Sequence, residues 1–156
     1  TPYYATRSEW REASNSIRRG EAGVLTAAII PDLAQLAVHS QRGETQHHAA
    51  VLGVAVYRYY DRYGRPPETL GNLSPDFVKI IPRDPFDGQP MRLRLTDQGC
   101  VIYGIGPDLV DNDGSPLRGR KKAPVSVQHA EGDIPFFVKL PSGESNAMEA
   151  SGAETR

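Results

Sequence analysis

Residues 31–67 read PDLAQLAVHSQRGETQHHAAVLGVAVYRYYDRYGRPP, and the fold turns on whether this stretch is one helix. Pro31 suits a first helical turn, where a missing N–H costs nothing. Leu33, Leu36, Ala37, Ser40, His47, Val51, Val54, Ala55 and Tyr59 follow at three- and four-residue steps, the spacing that gathers side chains on one side of a helix. Gly64 is a natural C-cap, and Pro66 and Pro67 cannot continue the hydrogen-bond ladder, so the helix ends there. Unbroken from 31 to 63, it would be about 50 Å long at 1.5 Å per residue, more than a compact domain of this size uses for itself. Gly43 and Gly53 each cost about 1 kcal/mol relative to Ala, so Gln41–Glu44 is where a break would fall. A helix this long implies that its apolar stripe is completed partly by a sheet of the same chain and partly by another molecule.

Upstream, residues 1–30 form an N-terminal helical extension. Ser8 is placed to cap a helix running to about Ile17, with Glu9 and Glu12 near its start, Arg18 and Arg19 near its end, and Gly20 stopping it. Downstream of residue 64 the composition changes, and Pro and Gly recur between short segments. Glu68–Leu73 reads as a helical turn, and Phe77, Val78, Ile80 and Ile81 as the anchor of a loop. From Met91 the period becomes two: Met91, Leu93 and Leu95 alternate with Arg92, Arg94 and Thr96, a half-buried strand with a solvated basic face. Asp97-Gln98-Gly99 is a turn. Cys100–Ile105 is apolar on both faces and belongs in the middle of a sheet. Val125–Gln128 is a short candidate strand, and Ile134–Leu140 a better one, with Pro135 confining it to an edge or a strand start. The expected fold class is α+β, a long N-terminal helix packed on a small antiparallel sheet of three to four strands over residues 31–140. Residues 141–156 are too polar to bury and read as a disordered tail.

Composition narrows the function. The chain of 156 residues has 18 Lys+Arg against 19 Asp+Glu, a formal charge of −1, so no strong field draws it to nucleic acid or anionic lipid. Its 15 Gly and 13 Pro argue against an all-helical bundle. Cys100 stands alone, which excludes an internal disulfide and a cysteine-based zinc site. The longest apolar run, Val24 to Ile30, is far short of the roughly 20 residues of a membrane span. The chain opens at Thr1 without Met or a signal-like segment and reads as a fragment, any membrane anchor lying upstream.

The chemistry-bearing residues gather after the central strand. Asp108, Asp111 and Asp113 lie close together in a loop with Ser115 beside them, and Asp133 returns later. Clustered carboxylates repel, and a hard divalent cation with six to eight oxygen ligands, calcium above all, removes that cost. An EF-hand is excluded, because aligning Gly114 to its sixth position puts Leu109 first and Arg120 twelfth, where carboxylates are required. The other readings are a solvated Asp/Asn/Gly turn, or neutralisation by the basic run Arg118, Arg120, Lys121 and Lys122. Asp84 and Asp87 read as turn residues: Asp84 is held extended by Pro85, Asp87-Gly88 is a turn pair, and Phe86 plugs the loop onto the sheet. His39, His47 and His48 read as helix-surface residues. Gly104-Ile105-Gly106 lacks the third glycine and following helix of a nucleotide fingerprint. Ser126 and His129 lack a nucleophile elbow. No catalytic set emerges, and no enzyme is expected.

The order of blocks in this segment carries a likeness. Ala49-Ala50-Val51-Leu52 leads to Tyr57, Tyr60 and Tyr63-Gly64-Arg65-Pro66-Pro67-Glu68-Thr69-Leu70. Next come Ile81-Pro82-Arg83-Asp84-Pro85-Phe86-Asp87-Gly88-Gln89-Pro90, then Val101-Ile102-Tyr103-Gly104-Ile105-Gly106-Pro107-Asp108, and finally Gly132-Asp133-Ile134. The sequence resembles the soluble domain of the major pseudopilin of bacterial type II secretion systems, in which a helix ending in Tyr…Gly…Tyr-Pro is followed by a Leu-Pro-x-Asp-Pro-Trp-Gly-x-Pro loop. A Tyr-Ser-x-Gly-x-Asp strand then enters a calcium loop closed by Asp-Asp-Ile. Here Pro-Pro replaces Tyr-Pro, Phe86 stands for Trp and Gly104 for Ser. The stretch from Asp113 to Asp133 is longer than in the family, and the family's N-terminal membrane helix and peptidase site are not in this sequence. The resemblance implies a pilin-like fold and a non-catalytic structural subunit of a pseudopilus or related secretion assembly, periplasmic and anchored in the inner membrane. Its partners would be other pseudopilin-like subunits or envelope secretion components, and its calcium ligands would match Asp108 and Asp133 best, Asp111 and Asp113 falling where the loop is altered. The other reading is a stand-alone envelope module that binds a ligand or protein with this fold.

Overall fold

The computed structural model describes residues 3–21, 23, 33–116 and 132–141. It is α+β. Helix α1 (Tyr3–Arg18) precedes a long helix α2 (Leu33–Tyr63), a 3-10 turn at Leu70–Leu73, and strands β1 (Arg92–Thr96), β2 (Gly99–Gly104) and β3 (Ile134–Lys139). The strands form an antiparallel sheet in the order β1-β2-β3. β2, the most apolar strand, is central and buried. The expected helix start at Pro31, the strand Val125–Gln128, the run 118–122 and the tail from Ser142 onward lie outside the described residues.

Helix α2 is continuous through Gly43. A side chain added there meets nothing within 4 Å, while Val38 and Thr45 on either side are fully buried, so contacts flanking the glycine hold the helix together. At 1.5 Å per residue it is about 46 Å long. It ends where Gly64, at φ 68°, donates its N–H to Tyr60 O at 2.7 Å; the left-handed conformation suits glycine.

The side of α2 that meets the sheet differs from the stripe read in the sequence. Val38, Thr45, Ala49, Leu52, Val56 and Tyr59 are buried, whereas Leu36, Val51 and Val54 are exposed. Apolar residues run almost all the way round this helix, so periodicity cannot choose a side; contact with the sheet does. Gly53 permits the approach, since a Cβ there would lie 2.8 Å from the Phe136 ring. One core cluster lies between α2 and the sheet, with Leu52, Val56, Leu73, Met91, Ile102 and Val138. A second joins Tyr3, Val38, Phe86, Ile105 and Ile134.

Local expectations are corrected in three places. Helix α1 begins at Tyr3, so Ser8 is inside it and caps nothing. Tyr3 starts the helix because its ring packs edge-on against Phe86 at 5.2 Å and its N–H donates to Pro85 O at 3.1 Å. Ile80 is 79% exposed and anchors nothing, leaving Phe77, Val78 and Ile81 to pack on the core. The basic face of β1 is solvated only in part: Arg92 and Arg94 share a face with Tyr103 and Val101, the aspartate loop covers it at Arg92, and Arg94 and Thr96 keep contact with water.

Candidate functional site

The sheet is a middle layer, with α2 on one face and the loop of residues 106–116 on the other. On the loop side, β1 contributes Arg92 and Arg94, β2 contributes Val101 and Tyr103, and β3 contributes Pro135 and Phe137. Gly114, at φ 73°, lies close over Tyr103 and Val101, within about 3.2–3.3 Å of where a Cβ would reach. Leu109 and Asp113 also have positive φ, so the loop turns sharply at both ends of its acidic stretch.

Each aspartate has a distinct environment. Asp133 is fully buried; its Oδ2 accepts from Asn112 N at 3.0 Å and Gly114 N at 2.7 Å. Its Oδ1 is buried with no hydrogen-bond partner among the described residues. Burial raises the Asp133 pKa, against the pull of those two N–H groups, and the charges of Asp111 and Asp108 raise it further. Asp108 closes the loop by accepting from Gly132 N at 2.9 Å and Val110 N at 3.3 Å. Asp111 Oδ2 pairs with Arg92 Nε at 3.0 Å. Asp113 stays near Arg94, whose Nε donates to the Asp113 carbonyl at 2.8 Å. Burial, reinforced by Asp111 and Asp113, pushes the Tyr103 phenol up to about 12.

Arg92 links this loop to a second acidic pair. Its Nη2 meets Asp87 Oδ2 at 2.5 Å and its Nη1 lies 3.4 Å from Asp84 Oδ2. Burial works against the charge on Arg92, but Asp87, Asp111 and Asp84 hold its pKa above the usual value. Asp84 is itself fully buried and accepts from Ile105 N at 2.6 Å and Phe86 N at 3.0 Å. It thereby fastens the 82–90 loop to the end of β2, where Gly104 leaves room: a Cβ there would stand 2.9 Å from the Asp84 carboxyl carbon. Burial pushes Asp84 up to about 6, against the two backbone donors and Arg92.

The turn reading of Asp84 and Asp87 foresaw neither the fastening of Asp84 to β2 nor the shared arginine. The signal available was the arginine pair in β1, which sequence alone assigned to solvent. Among the described residues, the positive charge facing Asp111 and Asp113 comes from β1. A hard cation fits this loop only in part. Asp133 Oδ1 offers a buried oxygen without a partner among the described residues and Asp108 adds a nearby carboxylate, while Asp111 and Asp113 are turned toward arginines. No group of three or more His, Cys, Asp or Glu among the described residues is arranged to hold a metal.

Burial pushes the Cys100 thiol up to about 11, and such a thiol is a poor nucleophile. His48 Nδ1 lies 3.0 Å from Arg83 O, tying α2 to the loop before β1. A cleft of about 640 Å³ is lined by Tyr60, Arg65, Pro66, Thr96, Asp97 and Lys139. No protein-family model, curated protein or solved structure matches this chain. The likeness to pseudopilins therefore rests on the sequence motifs and the coarse α+β arrangement.

Proposed function

We propose that the protein is a non-catalytic structural subunit of a cell-envelope pseudopilus or a related secretion assembly. The observation that carries the reading is the outer side of α2. Leu36 is 52% exposed and Val54 63% exposed, on a helix whose opposite side already fills the core. A surface helix normally turns charge to water; one that shows valine and leucine there has a surface suited to helices of neighbouring subunits. On this reading the protein works outside the cytoplasm, and attachment to the inner membrane lies outside the described residues, none of whose helices is long and apolar enough to cross a membrane. Calcium belongs to the proposal as the ion that Asp133 Oδ1 and Asp108 would hold, adding charge neutralisation to a loop otherwise tied by arginines and backbone N–H groups.

A photo-activated cross-linker at Leu36 of the full-length protein in its native cells tests the reading. The expected result is a ladder of multimers in the envelope fraction. A single band at monomer mass, with saturable binding of a separate ligand, would replace the assembly subunit by the stand-alone binding module.

A further inference from the structure

The outer border of β3, turned away from β2, is defined by its hydrogen bonds. Leu140 N donates to Gln98 O at 3.0 Å on the β2 side, and Asp133 N donates to Ser115 O at 2.7 Å on the other side. Backbone groups alternate in direction along an antiparallel strand. The groups of Ile134, Phe136 and Val138 therefore serve β2, while those of Phe137 and Lys139 point outward with the Pro135 carbonyl. Among the described residues, this border is paired at Asp133, through its parallel bridge to Pro116. Pro135 and Pro141 have no N–H to give, so the outward donors of this stretch are Phe137 and Lys139. Edge strands are ordinarily guarded by charge, proline or a covering element. Here the prolines guard the ends and Lys139 puts one exposed charge between them, beside Phe137, which is 66% exposed.

The helix continues this border. Gly53 lies against Phe136 and Val138, and Tyr60 donates its hydroxyl to Pro141 O at 2.7 Å. Ala50 and Tyr57 fall at helical steps around Gly53, hence on the same flank, and Tyr57 is exposed.

We infer that this border pairs with the same border of a second copy of the chain, β3 against β3, antiparallel about a two-fold axis at Val138. In that register Phe137 stands opposite Lys139 of the second copy and exchanges both backbone hydrogen bonds with it. Pro135 falls opposite Pro141, where neither has a donor to satisfy. Charge fits as well: each lysine ammonium comes beside an aromatic ring, a favourable pairing, and the two lysines are not placed opposite each other. An axis normal to the sheet keeps like faces together, so both α2 helices lie on one side with their Tyr57 flanks toward the joint. The contact uses the same patch on both copies, as a two-fold interface requires, and a formal charge of −1 opposes it little. This is a closed pair, independent of the multimer ladder proposed for the outer side of α2.

Light scattering and amide hydrogen exchange on the whole chain, across a concentration series, test it. The mass should double with rising concentration while exchange at Phe137 and Lys139 slows in step. Phe137→Lys puts like charges opposite each other and should weaken the dimer about tenfold or more, a change of at least about 1.4 kcal/mol. Adding Lys139→Glu to that variant should restore it, and melting curves of both variants check that the fold is kept. A monomer at every concentration overturns the inference, as does a dimer indifferent to Phe137→Lys. Slow exchange at Phe137 and Lys139 in a protein that stays monomeric also overturns it, because the chain would then cover its own border.

Discussion

Asp84 shows how one residue can reverse the usual effect of acid. Its carboxyl is pushed from an ordinary 3.8 up to about 6, so the folded protein binds this proton more tightly than the unfolded chain does. The contribution to stability is fully present below about pH 4 and is lost as pH rises through about 6. Urea melts should show a gain of about 1 kcal/mol from this group between pH 7.5 and pH 5, and Asp84→Asn should remove that part of the slope. Asp133 is displaced in the same direction, so the difference between wild type and variant is the quantity to read. The sequence showed Asp84 before a proline and therefore a turn; it could not show that Ile105 N, 21 residues away, would be its partner. Arg92 was misread for the same reason: alternation places it on a face of β1, but only the position of a distant loop decides whether that face is wet.

At the scale of elements, α2 and the acidic loop make separate predictions. Gly43 is helical and a Cβ there would meet nothing within 4 Å, so Gly43→Ala should stabilise the protein by about 0.5–1 kcal/mol, seen as a higher urea midpoint. Gly53 is different, since the Phe136 ring occupies the space of its missing side chain. The two glycines look alike in the sequence, each an interruption in a helical pattern, and packing alone tells them apart. In the loop, if calcium is bound by Asp133 Oδ1, adding it to chelator-treated protein should raise Tm by several degrees. Asp133→Asn should abolish the response. An unchanged Tm would mean that the arginines and backbone N–H groups are the whole of the restraint.

The whole molecule joins its parts unevenly. Helix α1 reaches the second core cluster through Tyr3, while Glu9, Trp10, Arg11 and Glu12 are exposed. The chain has one tryptophan, and Trp10 Nε1 donates to Thr6 Oγ1 within the same helix at 3.1 Å, so its fluorescence reports on α1. A terminal helix that gives the apolar core Tyr3, with Ser14 buried further along it, is expected to let go before the sheet does: the Trp10 midpoint in urea should fall below the midpoint followed by far-UV circular dichroism. Coincident midpoints would show that α1 belongs to the same cooperative unit as the core. By itself the sequence determined the α+β class, the helical character of the stretch before Gly64 and its stop there, the turn at Asp97–Gly99 and the central place of β2, because these depend on propensity, capping and patterns within a few residues, whereas the unbroken passage of α2 through Gly43 rests on contacts beside it. The tertiary structure decided which side of α2 meets the sheet, which face of β1 is covered, and which aspartates meet arginines. Those outcomes depend on contacts between segments far apart in the chain, and no local pattern encodes the partner's position.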